Sequence, residues 1–287
     1  MSDLTCTKGG IMNTASEDWR YYNHALLPKC APHEQPRMEA INDNSIWKLN
    51  KNAYLVRWTT DWDLESESNW WYIIKDSALD IHALKSKRRY EINKGLKNFE
   101  VRVINPDEYK HELYEVTVEA YTSWPVKYRP TVDEKSFING IENSNLNNCV
   151  YFGAFDREDN KLCGYAMLED YGNYIDFKVL RVRPDKEKLS INAAIVAGLL
   201  NEYEDRFDGL FYICDGARAV RHETAFQEYL MKYFGFRKCY CHLHIKYKWW
   251  FKMGLRLMYP IRNLISGNTS LGSKLHALLL MDSLAER

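Results

Sequence analysis

The sequence of 287 residues is 46% hydrophobic and 27% charged, which is typical of a folded globular protein with one large domain or two smaller ones. Its 39 basic residues equal its 39 acidic ones, so binding to DNA through net charge is excluded and only a local basic patch could contact nucleic acid. The seven cysteines mostly lie in apolar runs, and the first residues lack the apolar core of a signal peptide. We therefore expect a protein of the reducing cytoplasm.

Residues 1–75 are predicted to form an extension that contains a β-hairpin. The runs SIWKLNKNAYLVRWTTDW and NWWYIIKD are rich in aromatic and β-branched residues, which is typical of strands. The polar run DLESESN lies between them and is typical of a loop. The two runs are therefore expected to pair with each other.

Residues 76–247 alternate between helix and strand patterns. A helical pattern begins near Asp80, a candidate N-cap, and ends near Gly95. A strand and two helices follow, with Pro106 in the first turn of the first of these helices. Three strands come next, then an apolar helix with Ser190 as its candidate N-cap, a strand, a helix and a last strand. This order predicts an α/β sandwich with a mixed, mostly antiparallel sheet flanked by helices.

Residues 248–287 are predicted to form a helical tail. Its first part, KYKWWFKMGLRLMYP, is basic and apolar, and a second helical pattern follows Pro260. Such a segment can cover the core of its own protein or lie on a membrane surface. We expect the first of these, and the second stays open.

The order of elements from about Asp76 to Tyr247 resembles the GNAT superfamily of acyltransferases. Val182 and Pro184 are similar to the V-x-P at the end of a GNAT strand, and Gly235 ends a helix as in that family. The run LKSKRRYEINKGLKNFEVRVI is similar to the basic helix and strand of the FemAB-like group, and DGAR with FQEYLMKYFGF is similar to its closing segment.

The resemblance implies a GNAT-like fold and transfer of an acyl group, in the first instance acetyl, from coenzyme A to an amine, without a metal. The implied acceptor is an amino sugar or another precursor of an envelope or polysaccharide. Two alternatives remain: transfer from aminoacyl-tRNA to a peptide, as in FemAB-like proteins, and a non-catalytic binding module of the same fold.

The resemblance also implies where coenzyme A would bind. In GNAT proteins the turn after the V-x-P strand reads Q/R-x-x-G-x-G/A, and the next helix begins there. Glu187, Ser190 and Asn192 occupy those places here, so the family glycines are missing. Backbone N–H groups at the helix start would still attract the pyrophosphate. The implied donor-binding residues are Leu180, Val182, Lys186, Lys188, Ser190 and Asn192.

Two residues are candidates for proton transfer. Asp176 lies on the strand where many GNAT proteins carry an acidic base, although a solvated strand residue is the more common interpretation of such an acid. Regular alternation predicts that Asp176 shares a face with Lys178 and Leu180. His222 could carry a proton at neutral pH.

Charged residues near two turns are candidates for substrate binding. Arginine suits a carboxylate or phosphate, and the carboxyl end of a strand is a common ligand site in α/β sheets. Both groups could instead be solvated surface charges. The candidates are Arg88, Arg89, Asp215, Arg218 and Arg221.

Six further side chains invite a functional interpretation that their positions do not favour. Cys239 and Cys241 alternate with His242 and His244 along a strand, so the pairs face opposite sides and cannot converge on a metal. Likewise, Tyr229 and Tyr233 flank the place of a GNAT tyrosine acid, which is Met231 here, and core packing is expected for both tyrosines.

Overall fold

The structure is a computed structural model and describes residues 18–126, 129–144, 148–219, 225–260 and 270–286. Its strands are β1 (Trp19–Tyr22), β2 (Ala25–Pro28), β3 (Leu55–Leu64), β4 (Trp70–Lys75), β5 (Phe99–Ile104), β6 (Cys149–Asp156), β7 (Leu162–Asp170), β8 (Tyr174–Val182), β9 (Tyr212–Ala217) and β10 (Arg237–Tyr247). Its α-helices are α1 (Glu39–Asn42), α2 (Ile46–Leu49), α3 (Ser86–Asn98), α4 (Lys110–Thr122), α5 (Glu134–Ser144), α6 (Ile191–Glu202), α7 (Ala225–Phe234), α8 (Trp249–Met258) and α9 (Ser270–Leu284).

The described residues form two compact units. The first takes in Ile73–Gly216 and Phe226–Arg237, and the second takes in the remaining described residues. Among the described helices, none is both long and apolar enough to cross a membrane.

The first unit contains a mixed sheet with the strand order β5, β6, β7, β8, β9. The first four strands are antiparallel neighbours, and β8 and β9 are parallel. Gly198 of α6 packs against Val101, whereas Ile104 on the other side of the same strand joins a core cluster with α4 and α5. Helices therefore cover both faces, as the predicted α/β sandwich requires.

The second unit contains a hairpin, but not the predicted one. β1 and β2 form an antiparallel pair, β2 lies parallel to β3, and β3 pairs antiparallel with β10. The expected partnership of β3 with β4 is wrong, because β10 lies beside β3 and its Tyr247 pairs with Leu55. The run predicted to start the first strand instead forms the short helix Ile46–Leu49, whose Ile46 is fully buried.

Two helix starts also differ from the prediction. Asp80 is not an N-cap of α3, because its carboxylate accepts the backbone N–H groups of His82 and Ala83 and closes a turn six residues before the helix. Likewise, Pro106 precedes α4, and its carbonyl oxygen accepts the N–H of Tyr109 in a separate turn. Asp and Pro favour both turns and helix starts, so local preference alone does not separate them.

Candidate functional site

The candidate site lies where β8 and β9 diverge. Their parallel pairing covers only Tyr174–Asp176 on β8 and Tyr212–Cys214 on β9, although β8 continues to Val182. We call the region formed by residues 176–182 of β8 and 214–216 of β9 the fork. A crevice at the carboxyl ends of parallel strands is a common ligand site in α/β sheets.

A β-bulge at Lys178 shapes the β8 side of the fork. Met167 of β7 pairs with Val179 and Leu168 pairs with Phe177, so Lys178 is an extra residue in β8. Phe177 contacts the ring of Phe226 on α7, whereas Val179 packs with the core cluster of α4 and α5. The regular alternation predicted beyond Asp176 is therefore wrong, because the bulge moves Val179 to the α4 side.

The bulge lets Lys178 bind two carboxylates. Its Nζ donates to the carboxylate of Asp176 and lies 3.2 Å from Oε2 of Glu169 on β7. Although burial alone lowers the pKa of Lys178, the charges of Asp176 and Glu169 raise it above its ordinary value. Asp176 is thus one partner of a partly buried ion pair, which makes it less available as a free base than the sequence suggested.

Asp215 on β9 is the carboxyl group whose chemistry is most altered. Burial raises its pKa to about 7, against a lowering by the side-chain hydrogen bond from Gln227, and the charge of Asp176 adds to the rise. Gln227 is buried on α7, and its Nε2 lies 3.4 Å from the carbonyl oxygen of Asp215. A carboxyl with this pKa exchanges its proton near neutral pH, as a general base must.

The two thiols near the fork are poor nucleophiles. Burial raises the pKa of Cys214 well above its ordinary value. Burial, together with the charge of Glu169, raises the pKa of Cys149 to about 11. Because the thiolate is the reactive form of cysteine, a raised pKa makes both thiols weak nucleophiles at neutral pH.

The turn between β8 and α6 keeps the backbone shape of a glycine turn without the glycines. Residues Pro184–Leu189 form a 3₁₀ helix, and Ser190 follows in the left-handed conformation with φ of 64°. Ser190 is the N-cap residue of α6, as predicted, although its side chain makes no capping hydrogen bond. Gly95 of α3 packs on this turn so closely that a Cβ there would lie 2.5 Å from the carbonyl oxygen of Ser190.

The charged side chains that the sequence places at this turn differ in exposure and in their partners. Lys186 forms an ion pair with Asp156 at 2.8 Å, whereas the side chains of Lys188 and Glu187 are exposed. Lys94 of α3 donates to the carbonyl oxygen of Lys188 at 2.7 Å. A lysine of α3 therefore joins the turn, a contribution that sequence spacing could not reveal.

The remaining donor-binding candidates lie on β8 and α6. Leu180 and Asn192 are partly exposed, and Val182 is buried. The neighbouring Arg183 is also buried, and its guanidinium binds the carboxylates of Glu119 and, at 3.3 Å, Glu115 on α4. Sequence reasoning missed this ion-paired arginine, which fixes the end of β8 to α4.

The three predicted arginines that the structure describes each contact a different partner. Arg88 lies over the ring of Tyr233 at 5.3 Å, and Arg89 donates to the carbonyl oxygen of His82 at 3.0 Å. Arg218 belongs to the second unit, where it donates to the carbonyl oxygen of Asn69 at 2.7 Å. Arg221 and His222 lie outside the described residues.

The tyrosines of α7 are not core residues, contrary to expectation. Tyr229 and Tyr233 are partly exposed and their ring centroids are 4.9 Å apart, whereas Leu230 and Phe234 are fully buried. The helix turns Leu230 and Phe234 inward, and the amphipathic tyrosines lie at the boundary.

The cysteines and histidines of β10 follow the predicted alternation. Cys239 and Cys241 are fully buried, whereas His242 and His244 are partly exposed. His242 hydrogen-bonds Asp61 at 3.0 Å and His244 hydrogen-bonds Thr60 at 2.8 Å. Over the described ranges, no group of three or more Cys, His, Asp or Glu side chains is arranged to hold a metal ion.

Comparisons with known proteins show the fold. No family model and no curated protein matches the sequence. L-PGS from Bacillus licheniformis is similar with a TM-score of 0.50 and 12% identity, over 94% of this chain and 85% of that chain. A conserved protein of unknown function from Bacteroides thetaiotaomicron is similar with a TM-score of 0.50 and 12% identity, over 75% of this chain and 79% of that chain. FemX is similar with a TM-score of 0.48 and 10% identity, over 75% of this chain and 81% of that chain. The chain shares the α/β fold of L-PGS and of the Bacteroides protein, with a mixed sheet flanked by helices, as its order of elements predicts.

Proposed function

We propose that this chain is an N-acyltransferase in which Asp215 removes a proton from the attacking amine. The observation that carries the proposal is the position of Asp215 at the fork, with its pKa raised by burial to about 7. An amine must lose a proton as it attacks an acyl carbonyl, and a base with a pKa near neutrality serves this step well. Asp176, the base suggested by the resemblance, would hold Lys178 in place instead.

The proposed donor is acetyl-coenzyme A or another acyl-coenzyme A. Beyond Asp176 the edge of β8 has no pairing with β9, so its backbone groups can bind an extended chain that contains amides, such as the arm of coenzyme A. The left-handed turn at Ser190 and the first N–H groups of α6 suit the pyrophosphate. The proposed donor site therefore consists of the residues that the resemblance implies: Leu180, Val182, Lys186, Lys188, Ser190 and Asn192.

The proposed acceptor is a small amine, and an amino sugar or an envelope or polysaccharide precursor fits the resemblance. Three carboxylates, those of Glu169, Asp176 and Asp215, lie around the fork, and among the described residues Lys178 forms ion pairs with the first two. This excess of negative charge favours an acceptor that arrives as an ammonium ion.

A thiol-release assay with acetyl-coenzyme A and a panel of amines tests the proposal. Asp215→Asn should lower kcat by about 10²-fold to 10⁴-fold, the usual contribution of a general base. Asp205→Asn makes the same change of charge at an exposed position of the first unit and should keep full activity. Full activity of Asp215→Asn would exclude the proposed role. His222→Ala in the same assay tests the proton-transfer role predicted for His222 from the chemistry of histidine.

Donor binding is tested separately by thermal shift. Acyl-coenzyme A should raise the melting temperature, because a ligand that binds only the folded state stabilises it. Glu187→Gln should enlarge the shift, since it removes an exposed carboxylate beside the proposed phosphate site. If acyl-coenzyme A leaves the melting temperature of the wild type unchanged, coenzyme A does not carry the donor group.

Aminoacyl-tRNA is the second candidate donor. The observation that favours it is the basic surface of α3 and its preceding residue, where Lys85, Lys87 and Lys97 are exposed. Transfer of a labelled amino acid from charged tRNA, with loss of transfer in Lys85→Glu/Lys87→Glu, would support this donor. Binding of either donor without turnover would instead support a non-catalytic module.

A further inference from the structure

Helix α8 carries two separate apolar faces. One face packs inward, where Leu255 is buried and the ring of Phe251 lies 5.3 Å from that of Tyr54. A helix on the surface of a globular domain needs only this one apolar stripe. The second face therefore calls for another explanation.

The second apolar face is exposed and contiguous. Trp249 and Leu257 are 75% and 77% exposed, and Met253 and Trp250 are 56% and 46% exposed. Residues 249, 253 and 257 are four apart, so they follow one another along one side of the helix, and Trp250 lies beside them. Their joint exposed area is on the order of 500 Å², within the range of the largest patches on monomeric proteins, which are often functional.

The patch continues onto neighbouring aromatic side chains of the same unit. Trp250 contacts the ring of Tyr54 at 5.4 Å, and Tyr54 stacks on His24 at 4.8 Å. Tyr21 and Tyr22 on β1 are 41% and 45% exposed, and Tyr21 contacts His24. Tryptophan and tyrosine are the side chains that best suit the boundary between lipid and water.

Positive charge flanks the patch. The segment from Lys246 to Met258 has four basic residues and no acidic one. Lys252 and Arg256 are exposed and follow the apolar residues at helical spacing. Lys252 and Arg256 also line a cavity of about 660 Å³ together with Asp282 and Glu286, whereas none of the four exposed apolar residues belongs to that lining.

From this arrangement we infer that α8 docks on an anionic membrane surface. Trp249, Trp250, Met253 and Leu257 enter the boundary between headgroups and acyl chains, and Lys252 and Arg256 contact anionic headgroups. An apolar arc beside a basic stripe is the arrangement that binds such surfaces, and the two contributions add. This inference does not depend on the proposed catalytic activity.

Vesicle flotation of the full chain tests the inference. Wild type should float with equimolar phosphatidylcholine and phosphatidylserine vesicles at least about tenfold more than with phosphatidylcholine alone. Trp249→Ser/Leu257→Ser should reduce flotation about tenfold or more, because both side chains lose their apolar contact with lipid. Leu210→Ser, at an 85% exposed leucine of the first unit, is the matched control and should float like wild type.

Charge and self-association complete the test. Lys252→Glu/Arg256→Glu should abolish the preference for phosphatidylserine, whereas Lys135→Glu/Lys161→Glu, at exposed lysines of the first unit, should keep it. Flotation that is equal on both vesicles, or unchanged in Trp249→Ser/Leu257→Ser, overturns the inference. So does light scattering that shows a dimer of the wild type which dissociates in Trp249→Ser/Leu257→Ser, because α8 would then bind a second copy.

Discussion

Asp215 offers a quantitative test, because its carboxyl group titrates differently in the folded and unfolded chain. The unfolded group has its ordinary pKa of 3.8, whereas burial raises the folded pKa to about 7. Between these two values the folded protein keeps a proton that the unfolded chain has released. The free energy of unfolding should therefore fall as the pH rises through this window, and level off above it.

The size of the effect follows from the two pKa values. The whole difference between the folded and unfolded pKa of Asp215 corresponds to about 4 kcal/mol of unfolding free energy. Solvent screening of this partly exposed carboxyl group reduces the expected change to about 2 kcal/mol. Asp215→Asn cannot titrate, so its stability relative to wild type should increase by about 2 kcal/mol between about pH 4 and about pH 8.

Urea unfolding, followed by circular dichroism at both pH values, measures this change. Asp205→Asn removes an exposed carboxylate of the same unit and should show little change in relative stability with pH. A stability difference for Asp215→Asn that is the same at both pH values would refute the reasoning. A difference that shifts in favour of wild type at high pH would refute it too.

Three further predictions concern stability in urea. Gly95→Ala should destabilise the protein by about 1–3 kcal/mol, because its Cβ would overlap the carbonyl oxygen of Ser190. Gly254→Ala is the matched control: a Cβ at position 254 meets open space, so this change should stabilise the helix by up to about 1 kcal/mol. Ser190→Gly should stabilise by about 0.5 kcal/mol, since glycine adopts the positive φ without strain; a loss of stability would contradict this. Tyr165→Phe removes a buried hydrogen bond to Thr117 and should destabilise by about 1 kcal/mol, and an unchanged urea midpoint would contradict it.

The sequence predicted the elements of the first unit well, because their signals are local. The run FEVRVI is β5 from Phe99 to Ile104, and β6, β7 and β8 are the three strands predicted before α6. Ser190 precedes α6 where the N-cap was placed. Apolar periodicity and turn residues fix such elements without information from distant parts of the chain.

The errors came from interactions between distant residues. Adjacent strands in the sequence often pair, but the partner of β3 is β10, which no local pattern indicates. The bulge at Lys178 depends on its pairing with β7, and it changes which side chains of β8 face α4.

Asp215 illustrates the same limit for the candidate site. Its position at the end of a strand was visible in the sequence and suggested substrate binding. Its raised pKa results from burial and from the charge of Asp176 on β8, and thus from how the strands pack. A role as a base becomes apparent only when these surroundings are known.

The pairing of β3 with β10 has a consequence for how the chain folds. Thr60 and His244 contact each other across 184 positions, so this pair closes a very long loop and its formation is slow. During synthesis, β5 to β9 of the first unit are made before β10 leaves the ribosome. The nascent second unit then presents β3 with an unpaired edge, and an edge of that kind recruits other strands. Aggregation of chains that end before β10 is the expected result.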